Sequence, residues 1–158
     1  MTSRRLFGGG PSRRVQERIR AVREGRLKEL NLSSYETGER LTELPPEILD
    51  LDWLESLNLS FNGLTELPEA ISRLANLITL DLSRNELTEL PEAISRLAKL
   101  TTLDLSWNEL KELPEAISWL ANLITLHLSD TGLTELPEEI TRLAKLTTLD
   151  LSYNELTE

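Results

Sequence analysis

Leu77-Ile78-Thr79-Leu80-Asp81-Leu82-Ser83-Arg84-Asn85-Glu86-Leu87-Thr88-Glu89-Leu90-Pro91-Glu92-Ala93-Ile94-Ser95-Arg96-Leu97-Ala98-Lys99 is followed at once by a near copy of itself. The same phrase opens at Leu54, Leu77, Leu100, Leu123 and Leu146, a step of 23 residues each time. Leucines at those internal offsets, with asparagine closing the first part, are the pattern of a solenoid in which each repeat supplies one strand and one return segment. Such a chain has no central core, because every repeat is buried by its neighbours alone.

Within the phrase, Leu77, Leu80 and Leu82 point into the solenoid, so Thr79 and Asp81 point away, since side chains alternate along a strand. Asn62, Asn85, Asn108 and Asn154 stand at the bend after the strand. An amide there can donate to one turn and accept from another, forming a structural ladder for backbone groups that the bend leaves unpaired. Thr131 takes that place in the fifth repeat and predicts a looser turn. The return segment, Leu67 to Leu74 and its copies, predicts a short helix with proline at its first position. Ile71 and Leu74 face inward. Glu69 and Arg73, Glu92 and Arg96, and Glu138 and Arg142 are spaced as i,i+4 pairs on its outer side.

Outward from the repeats, residues 1–12 hold Gly, Ser, Pro and Arg and little to bury, which predicts a flexible leader. Ser3-Arg4-Arg5-Leu6-Phe7 has the look of a twin-arginine signal, but no apolar run follows it. Residues 13–26 predict a capping helix with Val15, Ile19 and Val22 on one face, Ser12 as N-cap and Gly25 as the residue past its end. Residues 27–158 then hold five full repeats and a truncated sixth. The first, Leu27, Leu30, Leu32, Leu41, Leu44, Pro45, Ile48 and Leu51, runs 27 residues to Leu54 because four extra residues lie within Ser34 to Arg40. After Leu156 no return segment follows, so Leu146, Leu149, Leu151 and Leu156 form an uncapped edge through which the chain could self-associate.

The chain has no cysteine, which excludes disulfides and zinc-thiolate sites and fits a reducing cytoplasm. Residues 1–40 hold ten basic against five acidic residues, and residues 41–158 seven against twenty-two. An acidic repeat body argues against nucleic acid as a partner. No stretch approaches the roughly 20 apolar residues of a membrane span.

The stretch from Leu77 to Lys99 resembles the intracellular 23-residue leucine-rich repeat with a Leu-Pro-x-x-Ile return. It is the version found in bacterial Roco-type GTPase proteins, plant Ras-group repeat proteins and animal scaffolds of the Scribble and Ras-suppressor kind. Arg18-Ile19-Arg20-Ala21 ahead of Gly25, and then Leu30-Asn31-Leu32-Ser33, is similar to the lead-in of the Roco-type proteins. The resemblance implies an α/β leucine-rich repeat solenoid, right-handed, with a parallel concave sheet, short convex helices and an N-terminal capping helix. It implies a protein-binding scaffold, or alternatively the regulatory segment of a longer Roco-type GTPase. No G-x-x-x-x-G-K-[ST] phosphate loop is present, so nucleotide binding is not expected of this chain.

Stacked repeats turn each offset into a column of side chains about 5 Å apart. One concave column reads Asn31, Asn58, Asp81, Asp104, His127, Asp150, and the column at the strand's end Ser34, Phe61, Arg84, Trp107, Asp130, Tyr153. Between them Ser33, Ser60, Ser83, Ser106, Ser129 and Ser152 leave room for a partner or for curvature. Residues 144–158 copy 98–112 except at Tyr153 for Trp107 and Thr157 for Lys111, a second period of 46. Exposed aromatics in one column point to a protein interface, so Phe61, Asp81, Arg84, Asp104, Trp107, His127, Asp130, Asp150 and Tyr153 are the candidate contact residues. Asp104, His127 and Asp150 have the donor types of a metal-dependent enzyme, the remote alternative. The sequence predicts no catalytic residue, cofactor or metal.

Overall fold

The computed structural model describes residues 10–157; the twin-arginine run and most of the predicted leader lie outside them. Among the described residues the first elements are helix α1 (Arg13–Gly25) and strand β1 (Glu29–Asn31), followed by a one-turn helix α2 (Ser34–Thr37). Strands β2 (Ser56–Asn58), β3 (Thr79–Asp81), β4 (Thr102–Asp104), β5 (Thr125–His127) and β6 (Thr148–Asp150) then form with β1 one parallel sheet in sequential order. The register pairs Leu57 with Leu80, Leu80 with Leu103 and Leu103 with Leu126, so identical offsets stand side by side. This is a leucine-rich repeat solenoid.

Each strand is three residues long because only its central leucine turns inward. Leu80, Leu103 and Leu126 are fully buried, while the residues on either side of each are half-exposed. Leu77, Leu82, Leu87, Ile94 and Leu97 fill the interior of the third repeat, and their equivalents fill the next, giving one continuous apolar spine. A leucine in such a spine gains roughly 1.5–3 kcal/mol from burial. Leu149 on β6 and Leu156 after it are more than a third exposed.

Between strands the chain returns through 3-10 helices at Pro46–Asp50, Glu69–Arg73, Glu92–Arg96, Glu115–Trp119 and Glu138–Arg142. Two expectations are corrected here. Pro68, Pro91, Pro114 and Pro137 sit as extended N-caps, one residue ahead of the helix, and only Pro46 takes a helical position. The i,i+4 Glu–Arg pairs do not form among the described residues, because three residues per turn eclipses i with i+3 and swings i+4 away. Arg73 reaches Asp50 of the preceding return segment at 2.9 Å instead, an exposed pair between repeats.

At the start of the solenoid, α1 lays Val15, Ile19 and Val22 against the β1 end of the core. Ser12 Oγ accepts the Val15 N–H at 3.4 Å. The end of α1 differs from the reading above. Gly25 is still helical, and Arg26 takes the left-handed conformation with φ 49°. A Cβ on Gly25 would stand 3.2 Å from the Leu27 side chain, so glycine serves close approach there. The Arg26 guanidinium rests 4.1 Å from the Trp53 ring centre, a contact that helps hold the unusual backbone. Leu27 is half-exposed rather than a core residue, since α1 ends just before it and nothing else covers it.

Candidate functional site

The strand-end column is built on an unusual backbone. Phe61, Arg84, Trp107, Asp130 and Tyr153 all have φ between 48° and 58°. Left-handed conformations cost non-glycine residues on the order of 1–3 kcal/mol. The turn needs it: Phe61, Arg84, Trp107 and Asp130 each donate a backbone N–H to the serine carbonyl one repeat on, at 2.8 to 3.0 Å. The bend lifts these side chains off the sheet. Trp107 is half-exposed and Tyr153 is 83% exposed.

These side chains meet one another. Tyr35 packs edge-on against Phe61 with ring centres 4.5 Å apart. Arg84 lies between Phe61 and Trp107, its guanidinium carbon 5.0 and 4.4 Å from the two ring centres. A continuous stack Tyr35, Phe61, Arg84, Trp107 therefore runs along the ends of the first four strands. Tyr35 comes from the insertion, which α2 folds onto the column. Arg40 pairs with Glu86 and donates to the Asn62 carbonyl, Arg18 of α1 pairs with Glu36 at 3.0 Å, and Thr37 is buried, so the insertion is fastened on both sides.

The neighbouring concave column has a different task. Asp81 Oδ1 accepts from the Ser83 N–H and hydroxyl at 2.9 and 2.6 Å, and Asp150 does the same for Ser152 at 3.0 and 2.6 Å. Asn58 caps Ser60 in this way, and Asp104 takes the Ser106 N–H at 3.0 Å. Ser33, Ser60, Ser83, Ser106 and Ser152 are thus hydrogen-bonded to the carboxylates and amides beside them. Donation from the Ser152 hydroxyl, then from its N–H, holds the Asp150 carboxyl below its ordinary 3.8, with His127 adding a smaller pull. His127 stands where the other repeats hold an acid or amide, paired across the sheet with Asp104 and Asp150.

Behind both columns the asparagines span the turns. Asn85 Oδ1 accepts the Leu64 N–H at 3.0 Å while its Nδ2 donates to the carbonyls of Leu59 and Leu82, both at 3.0 Å. Asn62, Asn108 and Asn154 make the equivalent bonds. Thr131 breaks the series. Buried, its hydroxyl has one proton to donate and stands 3.1 Å from Leu128 O and 2.8 Å from Asn154 Oδ1, and it reaches neither Leu110 N–H nor Leu105 O. Gly132 beside it is also left-handed, with φ 77°.

Three family models match the chain: leucine-rich repeat models over residues 52–110, 142–157 and 122–143. The chain is a leucine-rich repeat protein. Among solved structures, it is similar to a leucine-rich repeat protein of Leptospira interrogans, at 38% identity and TM-score 0.61 over 83% of this chain and 38% of that one. It is similar to the ectodomain of the Arabidopsis thaliana membrane receptor kinase GASSHO1/SCHENGEN3, solved in complex with CASPARIAN STRIP INTEGRITY FACTOR 2. There the identity is 37% and the TM-score 0.74, over 87% of this chain and 17% of that one. A plant peptide hormone receptor, RGFR1, solved in complex with RGF2, matches at 36% identity and TM-score 0.68, over 82% and 21%. The leucine-rich repeat protein thus spans well under half the length of each of these chains. No curated protein matches it.

All nine sequence-predicted contact residues lie on this side of the leucine-rich repeat protein, in two groups. Phe61, Arg84, Trp107, Asp130 and Tyr153 project from the strand ends, and Asp81, Asp104, His127 and Asp150 line the sheet, three of them also capping turns. Tyr35 and Arg40 escaped the sequence reading because an insertion has no repeat equivalent. The aromatic next to Ser34, at the column's own height, was the available signal. No group of three or more His, Asp or Glu among the described residues is placed to hold a metal. No described helix is long and apolar enough to cross a membrane.

Proposed function

We propose that this leucine-rich repeat protein binds a protein partner through its concave side, with the column Tyr35, Phe61, Arg84, Trp107, Asp130 and Tyr153 as the principal contact and Asp81, Asp104, His127 and Asp150 beside it. One observation carries the reading. Arg84, Trp107 and Tyr153 occupy left-handed positions where glycine or asparagine would sit more easily, and all three stay exposed there. Residues that cost stability and remain exposed are accounted for by contact with something else. Two of the similar structures were solved with a partner, and modules of this fold are typically non-enzymatic. Placement in the cytoplasm belongs to the same proposal and rests on the cysteine-free composition.

The test is a capture experiment from the source cell comparing wild type with Trp107→Ala plus Tyr153→Ala. Loss of specific partners from the double variant, with melting temperature unchanged, supports the site; an unchanged set of partners refutes it. The second reading, a regulatory segment of a longer Roco-type GTPase, is favoured by the Arg18–Ser33 lead-in alone. A reading frame that continues into a phosphate loop would support it.

A further inference from the structure

We propose that Asp130, set between Trp107 and Tyr153, forms a notch for the guanidinium of an arginine on the bound partner; this rests on the concave-side reading above. The two-repeat period sets up the comparison. Phe61 and Trp107 are two repeats apart, and the space between their rings is filled by Arg84 at 5.0 and 4.4 Å. Trp107 and Tyr153 are likewise two repeats apart, on equivalent backbone with φ 58° and 57°. Two strand spacings, roughly 9–10 Å, separate each pair, a gap that one flat cation spans.

The central residue is what differs. Asp130 has the same backbone placement as Arg84, with φ 48° against 54° and its N–H on the Ser152 carbonyl at 2.9 Å where Arg84 uses Ser106 at 2.8 Å. Its side chain, however, is short and anionic. It reaches no cation among the described residues, and Tyr153 has no ring or cation contact among them. Arg84 stacks on both of its neighbouring rings, whereas the equivalent place between Trp107 and Tyr153 holds a carboxylate too short to span two strand spacings. Asp104 and Asp150 on the adjacent strands deepen the negative field.

A guanidinium suits this place better than an ammonium. It is planar, so it stacks on two rings at once, and its N–H fork matches a carboxylate in bidentate fashion. Arg84 demonstrates the stacking half of that arrangement within the same molecule. A neutral or acidic side chain would meet Asp130 without compensation.

The probe is the peptide acetyl-Gly-Gly-Arg-Gly-Gly-amide, titrated into 15N-labelled full-length protein at physiological salt, with the citrulline peptide as its neutral counterpart. The expected result is saturating shifts at the Trp107 indole N–H and the Asp130 and Tyr153 amides, with apparent affinity at least tenfold weaker for citrulline. Asp130→Arg, which copies Arg84, should abolish these shifts, and Glu89→Arg, the same charge change elsewhere, should leave affinity within twofold. Asp130→Asn, which keeps shape, should weaken binding about tenfold and covers the case in which Asp130→Arg does not fold. Equal response to citrulline, shifts centred elsewhere, or an Asp130→Asn variant that binds as wild type overturns the notch. In the partner capture, Asp130→Arg behaving as wild type while Trp107→Ala plus Tyr153→Ala fails overturns the notch alone. If the double variant also captures normally, it is the concave-side function that falls.

Discussion

Removing the asparagine amide at position 108 should cost more than removing the same amide at position 85, and the difference follows from Thr131. In Asn85→Ala the buried Leu64 N–H loses its acceptor. The three carbonyls Asn85 served keep other donors, Leu59 O from Asn62, Leu82 O from Asn108 and Ser83 O from the Phe61 N–H. One unpaired buried donor costs about 1–3 kcal/mol. In Asn108→Ala the Leu87 N–H is stranded in the same way. Leu82 O keeps Asn85, but Leu105 O is bonded by Asn108 at 2.9 Å and by no amide from the next repeat, where Thr131 stands. That second orphan adds roughly 1 kcal/mol. The assay is equilibrium urea unfolding of wild type, Asn85→Ala and Asn108→Ala, compared at equal m-value so that the differences report stability. Thr131→Asn supplies the missing amide and should stabilise wild type by about 1 kcal/mol while bringing the cost of Asn108→Ala down to that of Asn85→Ala. Equal costs in the wild-type background, or no coupling to position 131, would refute the ladder argument.

Two further outcomes are expected. Tyr153→Asn places at a φ of 57° a residue that tolerates the left-handed region; thermal unfolding should show no loss and up to about 1 kcal/mol of gain, while partner capture falls. A destabilised variant would mean that Tyr153 serves the fold. Asp150 should titrate below its ordinary 3.8, since Ser152 hydrogen bonds favour its charged form, and Ser152→Ala should move the midpoint upward in carboxyl 13C spectra. Because the folded value is the depressed one, its contribution to stability is present above the ordinary value and is lost as pH falls through the folded value. An unmoved midpoint would remove the hydroxyl as the cause.

The solenoid was legible because every repeat poses the same local problem and solves it with the same residues. Leucine spacing named the buried positions, and strands β1 to β5 each bury a single residue, Leu30, Leu57, Leu80, Leu103 and Leu126. The details that failed are those in which local rules compete. Glu69 and Arg73 look like a helical pair until the return segment tightens to three residues per turn, after which Arg73 finds Asp50 across the repeat boundary. Gly25 looks like a helix terminator, yet it is Arg26 that turns left-handed, where the Arg26 and Leu27 N–H groups close the helix on Arg23 O and Val22 O and the Trp53 ring, 27 positions along the chain, receives the guanidinium. Ser83, Ser106 and Ser152 looked like space and are hydrogen-bonded to the aspartates beside them.

By itself the sequence determined the repeat, its register, its buried leucines and the columns in which variable residues stand, since all of these follow from spacing along the chain. Only the tertiary structure decided what the columns do. Left-handed turns raise Phe61, Arg84, Trp107, Asp130 and Tyr153 from the sheet, and an insertion without a repeat equivalent brings Tyr35 to Phe61. Stacking then places Arg84 between Phe61 and Trp107, an arrangement that Asp130 in the equivalent position does not repeat. Those relations depend on distances between repeats, which a one-dimensional pattern does not contain until the strands lie side by side.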